Sequence, residues 1–150
     1  MKQNPQTKSK AATFGTAVHS SLKNFLDSLN QNGQLPPVDL LLSHFLGSLR
    51  NEHLDEHDYL EAMKMGEAVL TEYYNAKALQ LPKGSLNEYS LKHTEVAVDG
   101  IPITGKIDRV DHLDNISKTL RVLDYKTGNP DSAASRLSVN LLGDYYLQLV

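Results

Sequence analysis

The sequence predicts an α/β fold, α+β by a strict count, with helices leading and a small sheet following. Three observations carry this. Up to about residue 79, apolar residues recur at the 3.6-residue period of a helix. From about residue 90 the texture changes to alternation with β-branched residues, the mark of strands. Asp99-Gly100 is then a hairpin turn signal between two such runs. The expected order is three helices, a meander of three antiparallel strands within a mixed sheet, and a closing helix.

Residues 1–12, MKQNPQTKSKAA, are polar and carry Lys2, Lys8 and Lys10, a flexible lead-in or linker. The domain is expected over residues 13–150. Phe14, Val18, Leu22, Phe25 and Leu29 form the stripe of the first helix, which ends near Asn32-Gly33. Pro36-Pro37 opens the second helix, with Val38, Leu41, Leu42, Phe45, Leu46 and Leu49 as its apolar stripe. The third runs from about Glu56 to Leu79, with Tyr59, Met63, Gly66, Leu70, Tyr73 and Lys77 on one face. Pro82-Lys83-Gly84 closes the helical half. SLKHTEVAV, IPITGKIDRV and TLRVLDYKT then read as the three strands. Gly128 to Ser138 reads as a loop, and Gly143 to Val150 as the start of another helix.

The composition removes several classes. With 40% hydrophobic and 22% charged residues in 150, the chain is not of the disordered kind. No apolar run approaches the ~20 residues of a membrane span, so no membrane partner is expected. There is no cysteine, which excludes disulfides, thiolate zinc sites, an iron–sulfur cluster and a cysteine nucleophile within the chain. That fits a reducing compartment, and the expected location is cytoplasmic. The net charge of −3 argues against holding nucleic acid by bulk electrostatics. Contact with DNA would need a local site, a metal ion or a partner.

Two segments carry chemistry: Gly105-Lys106-Ile107-Asp108-Arg109-Val110-Asp111 and Val122-Leu123-Asp124-Tyr125-Lys126-Thr127-Gly128. Side chains alternate along a strand, so Asp124 and Lys126 share a face. A hairpin centred near Ile116 sets Asp108 opposite Asp124 on that face. Two crowded carboxylates repel unless a cation or proton lies between them. A hard divalent ion takes oxygen ligands of this kind, and a neighbouring lysine orients a bound water for phosphodiester hydrolysis. For an isolated D-x-K, the ordinary reading is a charge cluster on a solvated face.

The pattern here is longer. It resembles the RecB-like branch of the PD-(D/E)xK nuclease superfamily, in which a G-x-[IV]-D-R-[IV]-D strand precedes a [IV]-[IVL]-D-Y-K-T-G strand. Gly15-Thr16-Ala17-Val18-His19 resembles that family's early G-T-x-x-H, and Gln148 in Tyr145-Tyr146-Leu147-Gln148 its late glutamine. Read alone, His19 is a packed histidine beside the first helical stripe, and Gln148 an exposed helix residue. The resemblance implies a restriction-endonuclease-like core and a Mg²⁺-dependent DNA nuclease, with Mn²⁺ as the alternative ion. Asp108, Asp124 and Lys126 are then catalytic. His19, Asp108, Asp124 and the carbonyl of Tyr125 bind metal. Gln148 and Gly128 face DNA, although a turn conformation is the simpler role for Gly128.

The same resemblance implies an exonuclease in preference to an endonuclease. It also implies a cluster-free domain attached to a UvrD/Rep-type helicase, as in AddA and RecB, acting in double-strand-break repair and recombination. It implies that the domain is incomplete at its C-terminus, which leaves the Leu120–Tyr125 strand with an open edge. The rivals are a catalytically inactive nuclease-like module that binds DNA or a partner, and an interaction domain working through residues 38–79. Three further expectations concern single residues. By the hairpin arithmetic Glu95 pairs with Thr104, about 13 Å along the strand from Asp108, and is a cross-strand polar pair. Arg109 and Asp111 are strand-face residues. The Tyr125 ring points into the core.

Overall fold

The first helix owes its limits to its ends. Ser9 caps α1 (Lys10–Asn32) by accepting the N–H of Ala12, and Gly33 stops it in the left-handed conformation at φ 66°. Pro37 precedes α2 (Val38–Arg50), and Asp55 caps α3 (Glu56–Lys77), which runs into a 3₁₀ turn at Ala78–Gln80. These limits agree with the apolar stripes, except that α1 begins earlier. Lys10 is already helical, tied to Asp58 and Glu61 of α3. The computed structural model describes residues 9–92, 94, 96–114, 119–127 and 143–149.

The three helices make most of the core. Phe14, Val18, Leu22 and Phe25 of α1 meet Leu41, Phe45 and Leu49 of α2 and Ala62 and Leu70 of α3. The Phe14 and Phe45 rings meet edge to face. Gly66 makes room for Phe45, since a Cβ there would stand 2.1 Å from its Cζ. Among the described residues no helix is long and apolar enough to cross a membrane.

The sheet has the order β1-β4-β5-β6: β1 (Leu86–Ser90), β4 (Lys106–Asp114), β5 (Thr119–Lys126) and β6 (Gly143–Leu149). Every pairing in it among the described residues is antiparallel, which corrects the expected mixed sheet. β2 (Ala97–Val98) and β3 (Ile101–Pro102) form a separate short hairpin at Asp99-Gly100, with Val98 against Ile101 as the turn signal requires. This helix-then-sheet order is the restriction-endonuclease-like α/β architecture. The sheet is joined to the helices through Tyr125, which is 3% exposed and packs edge to face on Tyr73 of α3.

Three further expectations are corrected. Residues 143–149 are a strand, not the start of a helix. Tyr145, Leu147 and Leu149 fit period 2 as well as a helical face, and pairing with β5 decides between them. β6 covers β5 from Leu120 to Lys126, so the edge expected to be open is occupied. The first strand of the meander is β1, several residues earlier than SLKHTEVAV suggests, because the Asp99-Gly100 hairpin closes on itself.

Candidate metal centre

The site begins with strand register. Asn87 pairs with Arg109 and Tyr89 with Ile107, so Glu88 and Asp108 lie between the same two rungs of the β1–β4 ladder. The β4–β5 ladder ends with Arg109 against Leu123, and Asp108 and Asp124 are the next residues outward. Three carboxylates therefore stand in a row across three adjacent strands. Glu88 has a left-handed backbone at φ 52°. Such a residue is held against a cost of about 1–3 kcal/mol, and such positions concentrate at functional sites.

α1 brings the histidine. One stripe of this helix, His19, Lys23, Asp27 and Asn30, lies along β1. Asp27 accepts from the Asn87 amide at 2.8 Å, and the Asn30 amide donates to the Ser85 carbonyl at 2.8 Å. These bonds fix β1 against α1 and set Glu88 beside His19. Gly15 brings the same helix close to the end of β5, because a Cβ there would lie 3.0 Å from Thr127 Oγ1.

His19 Nε2 donates to the Tyr125 carbonyl at 3.0 Å, which leaves Nδ1 facing the acids. Nδ1 stands 3.3 Å from Asp108 Oδ1 and 3.8 Å from Glu88 Oε1. The other Asp108 oxygen accepts the N–H of Tyr125 at 2.6 Å. Asp124 and Lys126 pair at 2.6 Å on the exposed side, and Lys106 pairs with Glu88 at 3.0 Å. The bond to Asp108 raises the His19 pKa above its ordinary value, and burial opposes it only in part. For Asp108, burial pushes upward, but the bonds from His19 and the Tyr125 N–H, with a contact to Asp124, bring it below the usual range. Lys106 and Lys126 thus offset the Glu88 and Asp124 charges, and the His19 ring stands against Asp108.

These residues fit a divalent ion. One ligand atom each from His19, Glu88 and Asp108 lies within 4.8 Å of the others. The two carboxylates suit hard divalent ions, the imidazole extends the range to borderline transition metals, and the set offers no thiolate to soft ones. A carbonyl on the far nitrogen of a ligating histidine fixes its tautomer, and the Tyr125 carbonyl holds that place here, bonded to His19 where a metal-ligand role was expected of it. A second group, Asp55, His57 and Asp58, is more exposed, and its acids are engaged in capping α3 and binding Lys10.

Behind the site lies a buried ion network. Asp111 accepts from Arg109 at 2.6 and 3.0 Å, from Arg121 at 2.6 and 3.0 Å and from Ser85 at 2.6 Å. Arg109 is 1% exposed and Asp111 is fully buried, so the reading of both as strand-face residues is corrected. The Arg109 guanidinium reaches the Tyr125 hydroxyl at 3.5 Å, so this network supports the strand that carries Asp124 and Lys126.

His19, Asp108, Asp124, Tyr125 and Lys126 thus converge as their order in the sequence suggests. Gln148 lies on β6 opposite Arg121, on a strand and not a helix. Gly128 and Glu95 fall outside the described residues. Glu88 was missed, because neither its strand nor its left-handed φ has a signature in Ser85-Leu86-Asn87-Glu88-Tyr89-Ser90. Only the row formed with Asp108 and Asp124 reveals it.

Comparison with curated proteins and with solved structures gives no match. The sequence profile of the PD-(D/E)XK nuclease superfamily matches residues 2–149, nearly the whole chain. That span takes in the helix bearing His19 and the strands bearing Glu88, Asp108, Asp124 and Lys126. The chain belongs to the PD-(D/E)XK nuclease superfamily.

Proposed function

We propose that this nuclease-type domain is a Mg²⁺-dependent deoxyribonuclease of the RecB-like kind. The observation that carries it is the convergence of His19, Glu88 and Asp108 beside the Asp124–Lys126 pair. His19, Glu88, Asp108 and Asp124 would hold the ion, and a bound ion would supply Lewis-acid stabilisation of the phosphoryl charge and a more acidic water. Tyr125 orients His19 through its carbonyl and Asp108 through its N–H. Lys126 turns from Asp124 toward the attacking water and holds it in line with the bond to be broken. The water oxygen bonds to phosphorus, the P–O3′ bond breaks, and the 3′-oxygen takes up a proton. The products are a 5′-phosphate and a 3′-hydroxyl.

The same reading makes the enzyme an exonuclease, joined to a helicase in one polypeptide or complex and acting in double-strand-break repair and recombination in the cytoplasm. A helicase would deliver DNA to a domain whose net charge of −3 attracts none by itself. End-labelled single- and double-stranded DNA incubated with Mg²⁺, Mn²⁺ or EDTA tests this. Hydrolysis is expected with either metal and not with EDTA. Lys126→Ala should reduce it by several orders of magnitude while the thermal transition stays in place. Full activity in Lys126→Ala would refute the mechanism, and DNA binding without hydrolysis would make the domain an inactive module.

A further inference from the structure

Lys106 has no role in the mechanism above, yet it stands two residues before Asp108 on the same strand. Its ammonium bonds Glu88 Oε2 at 3.0 Å, while Glu88 Oε1 faces His19 at 3.8 Å. The side chain is 65% exposed and sits on a flexible stem. It also lines an open groove of about 510 Å³ that runs from His19 and Glu88 along α1. Thr16, Ser20 and Lys23 border the groove at helical spacing. Lys23 is paired with Asp27 and the Thr16 hydroxyl donates to the Ala12 carbonyl, so Lys106 and the Ser20 hydroxyl are the groups that suit the oxygens of a phosphate backbone.

We propose that Lys106 holds a backbone phosphate of the nucleic-acid strand and that Glu88 is its partner only while the ion is absent. This rests on the nuclease reading. An ion bound by His19, Glu88 and Asp108 takes the Glu88 charge and repels the ammonium beside it. Lys106 then turns into the groove, where it meets the strand next to the reacting phosphate. Cation loading and strand binding are thereby coupled, because one carboxylate serves the ion and the ammonium in turn.

The test is anisotropy titration of a short single-stranded oligodeoxynucleotide, with Ca²⁺ in place of Mg²⁺ and with EDTA, across a series of KCl concentrations. For the wild type, Ca²⁺ should tighten binding several-fold. Lys106→Ala should lose most of that gain, and its salt slope in Ca²⁺ should fall by about 0.7, the value for one single-strand phosphate contact. Lys106→Arg should keep both. In EDTA, Glu88→Gln should bind several-fold more tightly than wild type, and the Glu88→Gln, Lys106→Ala double variant should lose that gain. A gain that survives in the double variant, or a wild-type slope in Lys106→Ala, overturns the assignment of Lys106 while leaving the nuclease reading intact. A wild type that binds the oligonucleotide no better with Ca²⁺ than with EDTA overturns the assignment of Lys106, while hydrolysis of end-labelled DNA decides the nuclease reading separately.

Discussion

His19 Nδ1 stands 3.3 Å from Asp108 Oδ1, and the two groups shift each other's titration in opposite directions. The folded His19 pKa lies above the ordinary imidazole value of 6.5, held there by Asp108. Its contribution to stability is therefore complete below about pH 6.5 and is lost as pH rises through the raised value. The folded Asp108 pKa lies below 3.8, so its contribution is present above that pH and is lost as pH falls through the lowered value. Metal-free protein should lose a His19-dependent increment of melting temperature on the alkaline side. His19→Ala should flatten that limb.

Metal loading reverses the sense. An ion at Nδ1 must displace the imidazole proton, so affinity should rise with pH through the raised His19 value. Calorimetric Mn²⁺ titrations in buffers of different ionisation enthalpy should count close to one proton released per ion below that value. No proton release would mean that His19 is not a ligand.

The Asp111 network yields a stability prediction. Asp111→Ala strips the counter-charge from Arg109, which is 1% exposed and cannot turn to water. Breaking a buried pair on one side typically costs about 3–5 kcal/mol. Urea unfolding should show a loss of that size, and activity should fall as well, because Arg109 reaches Tyr125.

Two glycines should respond with opposite signs. A Cβ at Gly66 would meet Phe45 at 2.1 Å, and overpacking of this kind costs about 1–3 kcal/mol. Gly47 in α2 has nothing within 4 Å of the same atom. Gly47→Ala should therefore stabilise the protein by about 1 kcal/mol, from helix propensity alone. Thermal melts of the two variants check the pair.

The sequence shows the three helices well, because their stripes, caps and prolines agree. It also shows that Asp108 and Asp124 lie opposite each other, since a hairpin needs only the position of its turn. Glu88 is not legible. Its place depends on β1 pairing with β4 across the Asp99-Gly100 hairpin, a long-range register with no local sign. Arg109 and Asp111 resist reading for a related reason. Charged residues on a strand suggest solvent until their mutual pairing is known. Gly143–Leu149 fits either period, and only the edge of β5 settles it.

The claim that the rest depends on is that His19, Glu88 and Asp108 hold one divalent ion. Mn²⁺ binding followed by electron paramagnetic resonance tests it directly, with the exposed Asp55–His57–Asp58 group as the internal competitor. Wild type and His57→Ala should bind Mn²⁺ alike, and Asp108→Asn and His19→Ala should each weaken binding by at least tenfold. Unchanged binding in Asp108→Asn, or binding lost in His57→Ala, would contradict the account.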